Sequence, residues 1–170
     1  MRKLMLALLL VSATAVGLNA QHDTSEVIMS SIPDTELKTL DGVAVSSAEV
    51  IEDTVPVLLV FWATYCKPCI KELDAINDII MDWEEEIEFR IICISVDDSR
   101  SALSVKPMVN SRGWEFEFYL DANQDFKRLM NVTAPPHSFI INRDGEVVYQ
   151  HDTYTEGDEE ETYEELKKWQ

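Results

Sequence analysis

The chain has 170 residues, 46% of them apolar, and sets 32 acids against 14 lysines and arginines for a formal charge of −18. A polyanion of this strength repels nucleic acid and anionic lipid, so neither is expected as a partner. The length supports one domain with a substantial core and leaves little room for a second.

Residues 1–20 read as a signal peptide. Arg2 and Lys3 give a positive start, Leu4 to Val11 an apolar stretch, and Ala20 a small residue before Gln21. The implied location is outside the cytoplasm, in the periplasm or cell envelope. Leu18 is not the small residue favoured three back from a cut, so retention as a membrane anchor stays open. No later apolar stretch is long enough to span a bilayer. Residues 21–31 are polar and read as a tether, with a single domain over 32–170.

Within that domain, Glu36 to Val45 reads as a hairpin turning at Asp41-Gly42. Ser46 or Ser47 is placed to cap a short helix through Ile51. Val57-Leu58-Leu59-Val60-Phe61-Trp62 is an unbroken apolar run, the pattern of a strand buried on both faces. Ile70, Leu73, Ile76, Ile80 and Trp83 then recur at helical spacing. Phe89 to Val96 is a second strand, so the unit is a parallel strand–helix–strand crossover. Ser99 is placed to cap a helix ending at Arg112, with Gly113 as its stop. Phe116, Phe118 and Leu120 alternate with Glu115, Glu117 and Tyr119 as a half-exposed strand. A short helix over 123–131, a hairpin around Asp144-Gly145 and a last helix from Asp158 to Trp169 complete the chain. The layout is α/β, a mixed central sheet flanked by helices.

Cys66-Lys67-Pro68-Cys69 sits where the Val57 strand hands over to the long helix. Two thiols at this spacing can close a small disulfide. At a helix N-terminus, unpaired N–H groups and the helix dipole favour a thiolate, the species that attacks disulfides. A purely stabilising role is slight for so small a ring. A zinc site lacks a second cysteine pair or a suitable histidine pair, and no metal or cofactor is expected. Cys93, the third cysteine, lies in a strand-like run and reads as inert core.

Phe61-Trp62-Ala63-Thr64-Tyr65-Cys66-Lys67-Pro68-Cys69 resembles the active-site stretch of thioredoxin-like proteins, and more closely that of the exported TlpA/ResA-type thiol–disulfide oxidoreductases. Residues 32–42 are similar to their added N-terminal β-hairpin. Glu72 is similar to their active-site glutamate, and 132–141 to their loop and strand with a cis-proline, here Pro136. Tyr65 stands where a tryptophan is common, and Asp74 where a helix-kinking proline is frequent. Val60 occupies the place of the buried aspartate of ordinary thioredoxins.

The resemblance implies a thioredoxin fold and a protein-disulfide reductase. Cys66 is its nucleophile and Cys69 its resolving thiol; the two form the redox-active disulfide. Glu72 exchanges the proton of Cys69, substituting for the missing aspartate. Pro136 packs against the cysteine loop. Trp62, Tyr65, Lys67, Pro68 and Pro135 form the active-site loop and substrate-contacting set. Lys67 lowers the Cys66 pKa modestly, and Pro68 fits the first helical turn. In this fold the backbone before the cis-proline pairs with bound peptide as an added strand. Pro135 has no N–H and offers only its carbonyl, so extended peptides are held weakly. Partners are protein thiols and disulfides, with electrons from a membrane thiol donor.

Two other readings are carried. In one, the acids at 82–88 and 152–165 dock a basic partner and the thiols are incidental; in the other, the chain is a thiol peroxidase. The second conflicts with the absence of a Pro-x-x-x-Thr-x-x-Cys pattern.

Overall fold

The computed structural model describes residues 27–52 and 54–170. The signal peptide and most of the expected tether lie outside the described residues.

Seven strands form one sheet: β1 (Glu36–Thr39), β2 (Ala44–Ser46), β3 (Val57–Trp62), β4 (Arg90–Ser95), β5 (Glu117–Leu120), β6 (His137–Ile141) and β7 (Val147–Asp152). Their spatial order is β2-β1-β5-β4-β3-β6-β7. β3 and β4 are parallel, as are β4 and β5, while the other neighbours are antiparallel. The N-terminal hairpin β1–β2 turns at Gly42, whose φ of 83° is a conformation that glycine adopts without a Cβ clash. It extends the sheet beyond β5.

All six residues of β3 are buried, as an apolar strand covered on both faces requires. Its side chains divide the core in two. Phe61 faces α4 (Asp125–Leu129), with its ring 5.4 Å from that of Phe126. Val60 and Trp62 face the opposite side, which is covered by α2 (Lys67–Glu86). That helix buries Cys69, Glu72, Leu73, Ile76 and Trp83, a stripe at helical spacing. Its far end is closed by α5 (Asp158–Lys167), where the rings of Trp83 and Tyr163 stack at 4.9 Å. α1 (Ser47–Ile51) is capped by Ser46, whose hydroxyl accepts the Glu49 N–H at 3.2 Å.

Two expectations need correction. Ser99 caps no helix. A 3-10 turn over Ala102–Ser104 leads instead into α3 (Val105–Arg112), which ends at Gly113 in the left-handed conformation as expected. Pro107 explains the late start: within the first turn its missing N–H has no partner to lose, whereas a helix begun near 100 would place it in the interior. Asp98 organises the preceding turn, accepting the N–H groups of Arg100 and Ser101 at 3.0 Å each. Packed structure also begins before residue 32, since Met29 bridges Val147 on the outer strand β7, and Ile28 N–H donates to Val147 at 2.8 Å.

Leu73 is fully buried between α2 and the sheet. Leu73→Ala should destabilise the oxidised protein by about 2–5 kcal/mol, measured by urea unfolding with the disulfide intact.

Candidate functional site

β3 delivers the chain to the C-terminal edge of the parallel strands, and a four-residue passage over Ala63, Thr64, Tyr65 and Cys66 turns it into α2. Cys66 and Cys69 are joined as a disulfide across the first turn. Cys66 is the N-cap, and its Sγ accepts the Cys69 N–H at 3.3 Å. The sulfur thus occupies the place of a capping hydroxyl, at the positive end of the helix dipole. Cys66 is 7% exposed and Cys69 not at all, so solvent reaches the pair only through Cys66.

The expected loop residues divide. Tyr65 is 65% exposed and forms one wall of an open groove of about 510 Å³ with Val96, Asp98, Arg100, Ser101 and Gln124. Lys67 and Pro68 are exposed at the helix start. Trp62 corrects its expected role. Its side chain is fully buried, edge-on to Trp114 at 5.4 Å and Phe118 at 5.7 Å, so it supports the loop from below and presents no surface of its own to solvent. As the last residue of β3 it points inward, like Val60. Trp114 is in turn fixed by its Nε1–H donating to Asp74 at 3.0 Å, and Arg112 pairs with the same carboxylate. The departure at Asp74 thereby links α2 to the chain leaving α3.

Glu72 lies on the inner face of α2, 5% exposed. Ser138 Oγ donates to its Oε1 at 2.8 Å, while Oε2 has no hydrogen-bond partner among the described residues. Burial pushes its pKa from the ordinary 4.5 up to about 7; the Ser138 bond works against this, and Asp158 and Glu159 on α5 add to it. Sheet register explains the meeting. Val60 is aligned with Cys93 on one side and Ser138 on the other, so all three side chains face α2. With valine in the strand, the acid that this layer contains comes from the helix. Cys93 is a free, buried thiol, and burial raises its pKa well above the usual value.

The Pro135–Pro136 bond is cis. The β3–β6 register, Phe61 opposite His137, puts Pro136 level with Trp62 and the cysteine loop. Pro136 is buried and Pro135 half-buried, and the Pro136 carbonyl accepts the Thr153 N–H at 3.2 Å. His137 opens β6 on the far face, stacked on Phe139 at 4.6 Å, with its pKa lowered by burial. Among the described residues, no group of three His, Cys, Asp or Glu side chains is placed to hold a metal.

Two partners were not foreseen. Ser138 meets Glu72 across 66 positions; the only local signal was a polar residue in an apolar strand. Asp97, just past β4, is a fully buried acid. It accepts from Thr64 N–H at 2.8 Å, Thr64 Oγ1 at 2.6 Å and Ser95 Oγ at 2.9 Å. Its position after a strand end was visible, but its contact with the cysteine loop was not.

A cysteine pair heading the helix after a central strand, level with a cis-proline, is the arrangement of a thioredoxin-like protein. Solved structures agree. A thioredoxin-like protein from Porphyromonas gingivalis superposes with a TM-score of 0.73 at 39% identity, covering 83% of this chain and 92% of that one. A putative thiol:disulfide interchange protein DsbE from Chlorobium tepidum reaches 0.70 at 24% identity, over 82% and 95% of the two chains, which bears on the fold alone. The sequence profile of the AhpC/TSA family matches residues 28–150, and the chain belongs to that family. Curated relatives include the thiol-disulfide oxidoreductase ResA of Bacillus thuringiensis, 35% identical over 94 residues. That match spans 55% of this chain and about half of the relative, 53%. The ResA of Geobacillus kaustophilus is 28% identical over 146 residues, 83% of this chain and 81% of the relative.

The raised pKa of Glu72 carries a stability signature. The folded state holds its proton more tightly than the unfolded state, so this contribution is complete below about pH 4.5 and is lost as pH rises through about 7. Denaturant unfolding of the oxidised protein across that window should show falling stability, and Glu72→Gln should flatten the slope.

Proposed function

We propose that this chain is a thiol–disulfide oxidoreductase acting on protein substrates, working mainly as a reductase outside the cytoplasm. The observation that carries the reading is the Cys66–Cys69 disulfide at the N-terminus of α2, with Cys66 narrowly open to solvent and Cys69 sealed. In the dithiol form, the Cys66 thiolate attacks a substrate disulfide and one substrate sulfur leaves as a thiolate. Cys69 then attacks Cys66 Sγ, the second substrate sulfur leaves, and two electrons have passed to the substrate. Glu72 takes the proton that Cys69 gives up. A group with a pKa near 7 exchanges protons readily at neutral pH.

Two observations support the reducing direction. Glu72 stands behind the pair, the chain is strongly acidic, and both disfavour a thiolate. Electrons then return from a thiol donor at the membrane. Tyr65, Lys67, Pro68 and Pro135 are the substrate-contacting set, and Pro136 shields the thiols. The relatives bearing the name thiol-disulfide oxidoreductase are consistent with this chemistry. The leader at residues 1–20 supports export; among the described residues no helix is long and apolar enough to cross a membrane.

The main rival is a binding module that docks a basic partner. Its acids lie at the far end of α2 and along α5, where Glu86 already pairs with Lys167 at 3.3 Å. Insulin reduction separates the two. The wild type should turn over, and Cys66→Ala should lose activity by at least a hundredfold. Cys69→Ala should accumulate substrate proteins covalently held on Cys66. Equal insulin reduction by wild type and Cys66→Ala would remove the enzymatic reading. Hydrogen peroxide consumption by the reduced protein would point to a peroxidase instead.

The missing N–H at Pro135 has its own consequence. Pro135→Thr restores a donor and should lower the Michaelis constant for extended peptide disulfides severalfold; an unchanged constant would discount this element of substrate binding.

A further inference from the structure

Among the described residues, Asp97 is the one buried acid that grips the cysteine loop. It reaches from the end of β4 to Thr64, two residues before Cys66, and receives both the Thr64 amide and the Thr64 hydroxyl. Ser95 supplies a third donor, and its own oxygen accepts the Asp97 N–H at 3.2 Å. The side chain accepts from three donors and donates to none, which is the bonding of a carboxylate. The same strand end is fixed to β3 by Val96 N–H on the Trp62 carbonyl at 2.9 Å. The backbone between Trp62 and Cys66 is therefore clamped at both ends, by the sheet and by the helix. Among the described residues, Asp97 is the only side chain that hydrogen-bonds its middle. Neither the cysteine motif nor the Glu72–Ser138 pair requires such an acid.

We infer that Asp97 is a positioning residue for the redox pair: through Thr64 it fixes the N-cap geometry of Cys66, and it sets a buried negative charge beside the loop that holds the sulfur. This deepens the oxidoreductase reading and rests on it. A fixed negative charge opposes the thiolate that the helix dipole favours. Because a more stable thiolate stabilises the reduced pair, the charge biases the couple toward giving up electrons. The other charged or titratable groups around Cys66 include Tyr65 beside it, Lys67, Cys69 and Glu72 on α2, Asp98 and Arg100 beyond β4, and His137 beside Pro136. Asp98 already accepts from Arg100 and two amides at the surface, so its charge is largely met there.

Removing the charge and removing its compensation predict shifts of opposite sign. Asp97→Asn removes the charge and keeps the shape. The pH midpoint for alkylation of Cys66 in the reduced protein should fall, and the equilibrium with glutathione should move about tenfold toward the dithiol, which is about 30 mV for this couple. Thr64→Val removes one donor from Asp97 and leaves the charge less compensated, so the midpoint should rise. Thr64→Ser restores the hydroxyl and should return it to the wild-type value. A residue that only stabilises the fold would lower the melting temperature in both variants without moving the midpoints in opposite directions. Unmoved midpoints, or shifts of one sign in both, would overturn the inference; if Asp97→Asn fails to fold, an unmoved Thr64→Val midpoint alone does so. The underlying reading fails differently: there, wild-type Cys66–Cys69 would not exchange with glutathione at all.

Discussion

The structure turns on a sulfur doing the work of a helix cap. An N-terminal turn needs an acceptor for its first amides, and serine, threonine, asparagine or aspartate usually supplies it. Here Cys66 Sγ takes the Cys69 amide, so the atom that begins the helix is also one half of the disulfide. Everything near it is arranged to keep that double role. β3 is buried on both faces and brings the loop to a defined height. Pro68 stands in the first turn, where its missing amide hydrogen removes no bond. The cis-proline segment lies level with the loop, and Tyr65 walls an open groove beside it.

Behind the pair lies a thin polar layer in an otherwise apolar core. Val60 supplies no acid from the strand, and Glu72 enters from the helix to meet Ser138. The exchange has a physical consequence. An acid rooted in the same helix as Cys69, three residues on, keeps a fixed spacing from it whatever the sheet does. Sealed from water and holding one hydrogen bond, it sits near the balance point between its two protonation states. Asp97 is sealed too, but its donors match its oxygens. One buried acid is thus left under-satisfied and the other fully met.

Local signals reached far into the fold. Asp41-Gly42 and Asp144-Gly145 marked both hairpins, because the glycine φ values of 83° and 77° are conformations few other residues take. The apolar run at Val57 and the stripe from Ile70 to Trp83 marked the strand and helix that frame the cysteines. The failures were of two kinds. At Ser99 the residue type fits a cap, but the geometry of Pro107 sets where that helix can begin. At Trp62 closeness to the motif suggested contact with substrate, while strand alternation turned the ring into the core. The Glu72–Ser138 and Asp97–Thr64 contacts span 66 and 33 positions. Pairings of that separation depend on sheet register, which no short window of sequence contains.

Cys93 draws a line between the unfolded chain and the finished one. In the folded protein its thiol is enclosed on a central strand and held in the unreactive protonated form, so it cannot compete for either partner sulfur. No such barrier exists in an unfolded chain, where Cys93 is as open to reaction as the other two cysteines and two of the three possible pairings are wrong. Once the sheet has formed, burial of Cys93 leaves Cys66 and Cys69 as the pair free to join.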